Sequence, residues 1–136
     1  MATYTKFQQF VEDLAHGVHN FDSNTIKVAL SSAGNAPSAS ADAVLADITT
    51  IAAPAVDSVT LTKSSSGQTS GTYKYIPNDL TMTASGAVGP FQYVIIYNDT
   101  AANDPLICYF DYGSEVTLAS GDTFKLDFGT ELFSLA

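Results

Sequence analysis

The chain has 136 residues, the size of a single domain, with fourteen acidic side chains, five lysines and no arginine, for a net charge of −9. Affinity for nucleic acid comes mostly from Lys and Arg neutralising phosphates, so this composition excludes direct DNA or RNA binding and disfavours anionic lipid. A cationic or mixed-charge protein surface is the easier partner. Eight Phe, seven Tyr and many branched aliphatics are enough for a core without disulfide or structural metal. The lone Cys108 has no intrachain partner and reads as a small buried hydrophobe. No run approaches the ~20 apolar residues of a membrane-spanning helix. No basic segment leads into an apolar run at the start, so no secretory signal is expected, and the sequon Asn98-Asp99-Thr100 reads as a polar turn.

In chain order, residues 5–16 predict an amphipathic helix: Phe7, Phe10, Val11 and Leu14 form one core-facing stripe at helical period. Thr5 with Gln8 fits a capping box, and Gly17 fits a C-terminal stop. Thr25–Leu30 alternates as a strand with Ile26, Val28 and Leu30 inward. Residues 31–43 are small and polar, a surface loop; residues 43–52 fit either a helical turn or an extended run. Val59–Thr62 predicts a strand, and Ser64–Gly71 a flexible hairpin tip or protruding loop. Strands at 72–76 and 80–84 are split by the turn Pro77-Asn78-Asp79. The most apolar stretch follows: Phe91–Tyr97 and Leu106–Tyr112 flank the polar turn 98–104. Both faces of these arms are apolar, which predicts central strands. A second hairpin is expected from 115–118 and 123–128 about Ala119-Ser-Gly-Asp122, before an apolar tail with Leu132, Phe133 and Leu135. About eight short strands and one helix predict a single domain over 1–136, an antiparallel β-sandwich of jelly-roll or immunoglobulin-like kind.

Reactive constellations are sparse. His16 and His19, with Asp13 or Asp22 as a third donor, are weak metal ligands at a frayed helix end, and the bland reading is a helix C-terminus favouring positive charge. Asp99, Asn103 and Asp104 crowd one turn, yet lack the spacing of a twelve-residue calcium loop and read first as turn formers. Asp111 and Glu115 are the nearest in-sheet carboxylate pair for glycoside chemistry. The six tyrosines from Tyr73 to Tyr112 could line a sugar platform, although half-buried strand tyrosines are commoner. No nucleophile elbow, phosphate loop or dinucleotide fingerprint is present. The reading is non-enzymatic, without cofactor or metal.

The blocks Lys6-Phe-Gln-Gln-Phe-Val-Glu-Asp-Leu-Ala15, Val18-His-Asn20, Lys27-Val-Ala-Leu30 and Ala46-Asp-Ile48 resemble a family of small structural proteins of tailed bacteriophages. The likeness continues through Ser70-Gly-Thr-Tyr-Lys74, Gly89-Pro-Phe-Gln-Tyr93, Tyr97-Asn-Asp-Thr100 and Asn103-Asp-Pro-Leu-Ile107. It ends with Tyr112-Gly113 and Val116-Thr-Leu-Ala-Ser-Gly-Asp-Thr-Phe124, so it spans nearly the whole chain in order. Members often have a Trp pair where this chain has Tyr109-Phe110, and a Gly-rich connector where it has Ala53-Pro-Ala-Val56. The resemblance implies a virion component. An acidic, Arg-free domain then fits a cement or decoration protein on the outer surface of the capsid, bound to the major capsid protein and to itself, as a trimer. A neck or tail-adaptor protein, or a fibre-associated host-binding protein, is the alternative, and a small carbohydrate hydrolase a distant third. Expected contact regions are the N-terminal segment 1–6 with Tyr4 and Lys6, the 64–71 loop with Ser66 and Gln68, and the tail with Phe133 and Leu135. On this reading, removal of residues 131–136 abolishes head binding without unfolding the domain.

Overall fold

The computed structural model describes residues 2–136; Met1, the first residue of the expected N-terminal contact segment, lies outside the described residues. The elements run β1 (Thr3–Lys6), α1 (Gln8–Ala15), β2 (Ile26–Ser31), β3 (Lys63–Thr69), β4 (Thr72–Pro77) and β5 (Leu80–Thr83). They continue β6 (Val88–Asn98), β7 (Leu106–Leu118), β8 (Thr123–Leu126) and β9 (Phe133–Leu135). The fold is all-β and antiparallel with one N-terminal helix, a sandwich-like arrangement of three sheets. Their orders are β1-β7-β6-β2, β3-β4-β9 and β5-β8.

The apolar hairpin occupies the centre of the largest sheet, as its two-sided apolar pattern predicts. Val94, Ile95 and Ile96 of β6 and Leu106, Ile107 and Cys108 of β7 are buried in unbroken runs. Register aligns Leu30, Val94, Phe110 and Tyr4 in one row across all four strands, and Val28, Ile96, Cys108 and Lys6 in the next. These rows share one face, so a single alternation pattern on four strands builds one wall of the core.

The N-terminal expectation is corrected. Residues 3–6 form a strand against β7, with Thr5 opposite Tyr109, and the helix starts only at Gln8. The capping box of Thr5 and Gln8 is absent because Phe7, fully buried, takes the N-cap position in an extended conformation. Backbone partners replace the missing cap: Phe7 N–H donates to Ile107 O at 3.2 Å and Gln8 N–H to Ala39 O at 2.9 Å. The stop at Gly17 is as expected. Its φ of 72° lets Gly17 N–H reach Leu14 O and Val18 N–H reach Asp13 O, the paired bonds of a Schellman end. Of the predicted stripe, Phe7 and Phe10 are buried and Leu14 half-buried, whereas Val11 is 53 % exposed and faces outward.

Three further expectations change. Residues 59–62 form no regular strand, but Val28 N–H donates to Val59 O and Leu61 N–H to Ile26 O, so this segment covers the outer edge of β2. The 64–71 segment is strand β3 rather than a loop; only Ser70 and Gly71 turn, both at positive φ (52° and 82°), which matches the twist of the flanking strands. The turn at 77–79 falls between two strands as expected; it joins strands of different sheets and is pinned where Phe128 N–H donates to the Asp79 carboxylate. The expected second hairpin exchanges partners: residues 115–118 extend β7 along β6, and β8 pairs with β5 instead. Residues 43–52 hold a single 3₁₀ turn, Leu45–Asp47.

The tail is part of the fold. Strand β9 pairs with β4, Leu132 N–H donates to Tyr75 O at 2.8 Å, and Leu132 and Phe133 are buried. Phe133 lies 4.7 Å from Phe21 and 5.2 Å from Phe10, ring centre to ring centre, so removal of residues 131–136 opens the core, against the expectation that the domain would survive it. Phe133→Ala is therefore expected to lower stability by about 3–5 kcal/mol in urea denaturation, whereas Leu135→Ala, 47 % exposed on the same strand, changes it by less than ~0.5 kcal/mol. Equal effects would contradict this placement.

Candidate functional site

The residues singled out from the sequence fall on two adjoining surfaces. On the three-stranded sheet, Ser66, Tyr75 and Phe133 form one cross-strand row, and Gln68, Tyr73 and Leu135 the next. The inner row is closed into the core, with Tyr75 and Phe133 buried. The outer row leaves it, and Leu135 stands half exposed. Ser66 Oγ and Tyr73 Oη lie 2.7 Å apart, holding β3 to β4 at the point where the sheet emerges. Phe133 is thus a core residue that positions this surface, and Leu135 is the accessible tail residue.

The second surface is a groove between the N-terminal segment and β9. One part is lined by Tyr4, Lys6 and Phe110 on one side and by residues 128–134 on the other. A contiguous part is lined by Lys6, Val11, Leu14 and Ala15 opposite Phe133, Ser134 and Leu135. Among the described residues strand β9 pairs only with β4 and β1 only with β7, so each presents a free backbone edge. Tyr4, 40 % exposed, packs edge-on against Phe110 at 5.4 Å with its hydroxyl against the Cys108 thiol. Burial pushes that thiol well above its ordinary range, so it stays a protonated packing group.

Charge singles out Lys6. Lys27 pairs with Asp99 (2.9 Å), Lys63 with Asp22 (2.6 Å), Lys125 with Asp79 (3.5 Å) and Lys74 with Glu131 (3.7 Å). Among the described residues Lys6 has no acidic partner within salt-bridge distance, and it borders both parts of the groove. The part of the groove between α1 and β9 is mainly apolar, the part beside β1 is mixed and carries Thr130 and the Glu131 carboxylate, and Lys6 borders both. Sequence reasoning reached Tyr4, Lys6, Phe133 and Leu135 but missed Val11. The signal was its position at the margin of the helical stripe, where one residue of rotation decides exposure.

The remaining candidates are dispersed. His16 is exposed, 3.7 Å from Glu12, whereas His19 is buried. Among the described residues no group of three or more His, Cys, Asp or Glu side chains is placed to hold a metal. Asp99 is taken by Lys27, while Asp104 presents its backbone carbonyl to Leu45 N–H. Asp111 accepts from Gln92 and Gly113, and Glu115 from Ala33 N–H, so the two carboxylates serve separate structural bonds. The tyrosines divide between the three-stranded and four-stranded sheets and form no common platform. No family model, no curated protein and no solved structure matches this chain.

His19 proves to be a structural centre. Its ring stacks on Phe21 at 5.3 Å and 22° and leans on Phe10, and its Nε2 is buried without a partner. Asn98 Oδ1 accepts from Thr100 N–H and Ala101 N–H, which fixes that amide and turns Nδ2 towards Asn24 Oδ1 (2.9 Å) and His19 Nδ1 (3.0 Å). His19 Nδ1 must accept, so the imidazole is neutral. Burial lowers its pKa, opposed by the charge of Asp13. The unfolded chain binds a proton near pH ~6.5, where the folded chain resists it. This contribution to stability is whole above pH ~6.5 and is lost as pH falls towards the lowered folded pKa. Asp22, held down by Lys63, and Asp47, held down by two backbone N–H groups, lose theirs only below pH ~4. The urea midpoint should therefore fall from pH ~7.5 to pH ~5, and His19→Gln, which still accepts from Asn98 but carries no titrating ring, should flatten that fall. An unchanged slope would show that His19 does not carry it.

Proposed function

We propose that this chain is a non-enzymatic structural protein of a tailed-bacteriophage virion, a cement or decoration protein that binds the outer surface of the capsid lattice and stabilises the head. The reading rests on the resemblance that runs in order through the chain. The one structural observation that carries it is the groove between β1–α1 and β9, with exposed Tyr4, Val11 and Leu135 beside the uncommitted Lys6. Apolar side chains at free strand edges suit contact with another protein, and a cation among them suits an acidic or carbonyl-rich surface. The partners of this reading are the major capsid protein and two further copies of the chain, closed as a trimer at local three-fold points. Each contact is small, and the hold on the head comes from engaging several neighbouring subunits at once.

Purified protein added to expanded heads that lack it should co-sediment with them. Leu135→Asp combined with Val11→Asp should weaken that binding at least tenfold, from ~1.5–3 kcal/mol per aliphatic side chain withdrawn from the contact, while circular dichroism and the urea midpoint stay close to the parent. Undiminished binding by the folded double variant would remove this groove from the contact. Binding to necks or tails but not to heads would move the protein to an adaptor station.

A further inference from the structure

We infer that the recess between β7 and β8 is a binding site for a neutral aromatic ring. The recess has a volume of about 200 Å³ and adjoins the part of the groove beside β1, with which it shares Phe110 and Phe128. A protein cavity of ~150 Å³ with apolar walls accommodates a benzene, and drug-sized ligands need roughly 300 Å³ or more. The volume thus matches one ring or two small fused rings.

The walls are aromatic and independently braced. Phe110 and Tyr112 come from β7, Phe124 and Phe128 from β8 and the residues that follow it, and Val94 forms the floor. Phe110 is held edge-on by Tyr4 at 5.4 Å, and Phe124 edge-on by Phe91 at 5.2 Å. Tyr4 and Phe110 face each other across the β1–β7 ladder, whereas Phe91 lies on β6 and Phe124 on β8, strands of different sheets. Phe110 and Phe128 stand 6.1 Å apart and tilted, Tyr112 and Phe124 5.4 Å apart and T-shaped, orientations that offer both ring edges and ring faces to a guest.

The two charged side chains at the rim of the recess each have a partner within the fold. Lys125 at the rim turns to Asp79 at 3.5 Å, and the Asp127 carboxylate accepts from Gly129 N–H at 2.9 Å. The two buried side-chain atoms without partners among the described residues, His19 Nε2 and Ser31 Oγ, are not among its walls. Water in the recess meets few hydrogen-bonding groups, so its displacement by an apolar ring is favourable. The ring can arrive as a free small molecule or as an aromatic side chain of another protein.

The chain contains no Trp, so the fluorescence of an indole probe reports on the site without background. Titration of the protein into indole and, separately, into N-acetyltryptophanamide should shift indole emission to the blue and raise its anisotropy, and indole should move the methyl resonances of Val94 and Leu126. Ala2 lies at the mouth. Ala2→Trp should place its own indole there, giving blue-shifted emission and at least about a tenfold loss of free-indole binding. Binding of both probes assigns a site that accepts a ring carried on a chain. Binding of indole alone assigns a free small molecule. Absence of emission and methyl shifts with both probes at millimolar concentration overturns the proposal, whether or not the Trp variant folds.

Discussion

The packing of four rings, Phe10, Phe21, Tyr75 and Phe133, holds the separate parts of this molecule together. Each ring comes from a different element: the helix, the turn before β2, strand β4 and strand β9. Phe21 lies 4.9 Å from Tyr75 and 4.7 Å from Phe133, and Phe133 lies 5.2 Å from Phe10. None of these elements pairs with the others along a continuous sheet except β4 with β9, so hydrogen-bond ladders alone do not fix the helix against the three-stranded sheet. Aromatic contacts between elements distant in sequence supply that restraint, and His19, stacked on Phe21 and bonded to Asn98, ties the cluster to the tip of the central hairpin.

The groove follows from this arrangement. Burying Phe133 fixes the strand so that Leu135, two residues on and on the same face, emerges beside α1. Burying Phe7 and Phe10 sets the rotation of a short helix, which leaves Val11 on the outside facing the same gap. The apolar part of the groove is thus made of residues that continue core patterns past the edge of the core. Its free strand edges and its lysine without an acidic partner set it apart from the rest of a strongly acidic surface.

The sequence made the fold class legible wherever one pattern covered a whole element. Ile26, Val28 and Leu30 announced strand β2, and the doubly apolar runs around Ile95 and Ile107 the two central strands, because alternation and burial are local properties. The partners of weaker strands were not legible. β8 has the same alternation whether it pairs with β7 or with β5, and only the global packing selects β5. β3 is Ser- and Gly-rich and was expected as a loop, since its strand form depends on the turn at Ser70-Gly71 and on its neighbour rather than on its own propensity. For the site, the expected contact regions were the two terminal segments, which the fold brings together, and the 64–71 segment, which lies on the three-stranded sheet. The exposure of Val11, the burial of Phe133 and the aromatic recess between β7 and β8 depend on tertiary placement alone.

The central claim is that this domain is one of many identical copies covering a capsid lattice through an apolar strip. Quantitative mass spectrometry of purified particles, counting this chain against the major capsid protein, tests it most directly. The account predicts a fixed whole-number ratio between this chain and the capsid subunits that form each local three-fold point. A count no larger than a single ring of subunits, or none in the particle, would contradict it.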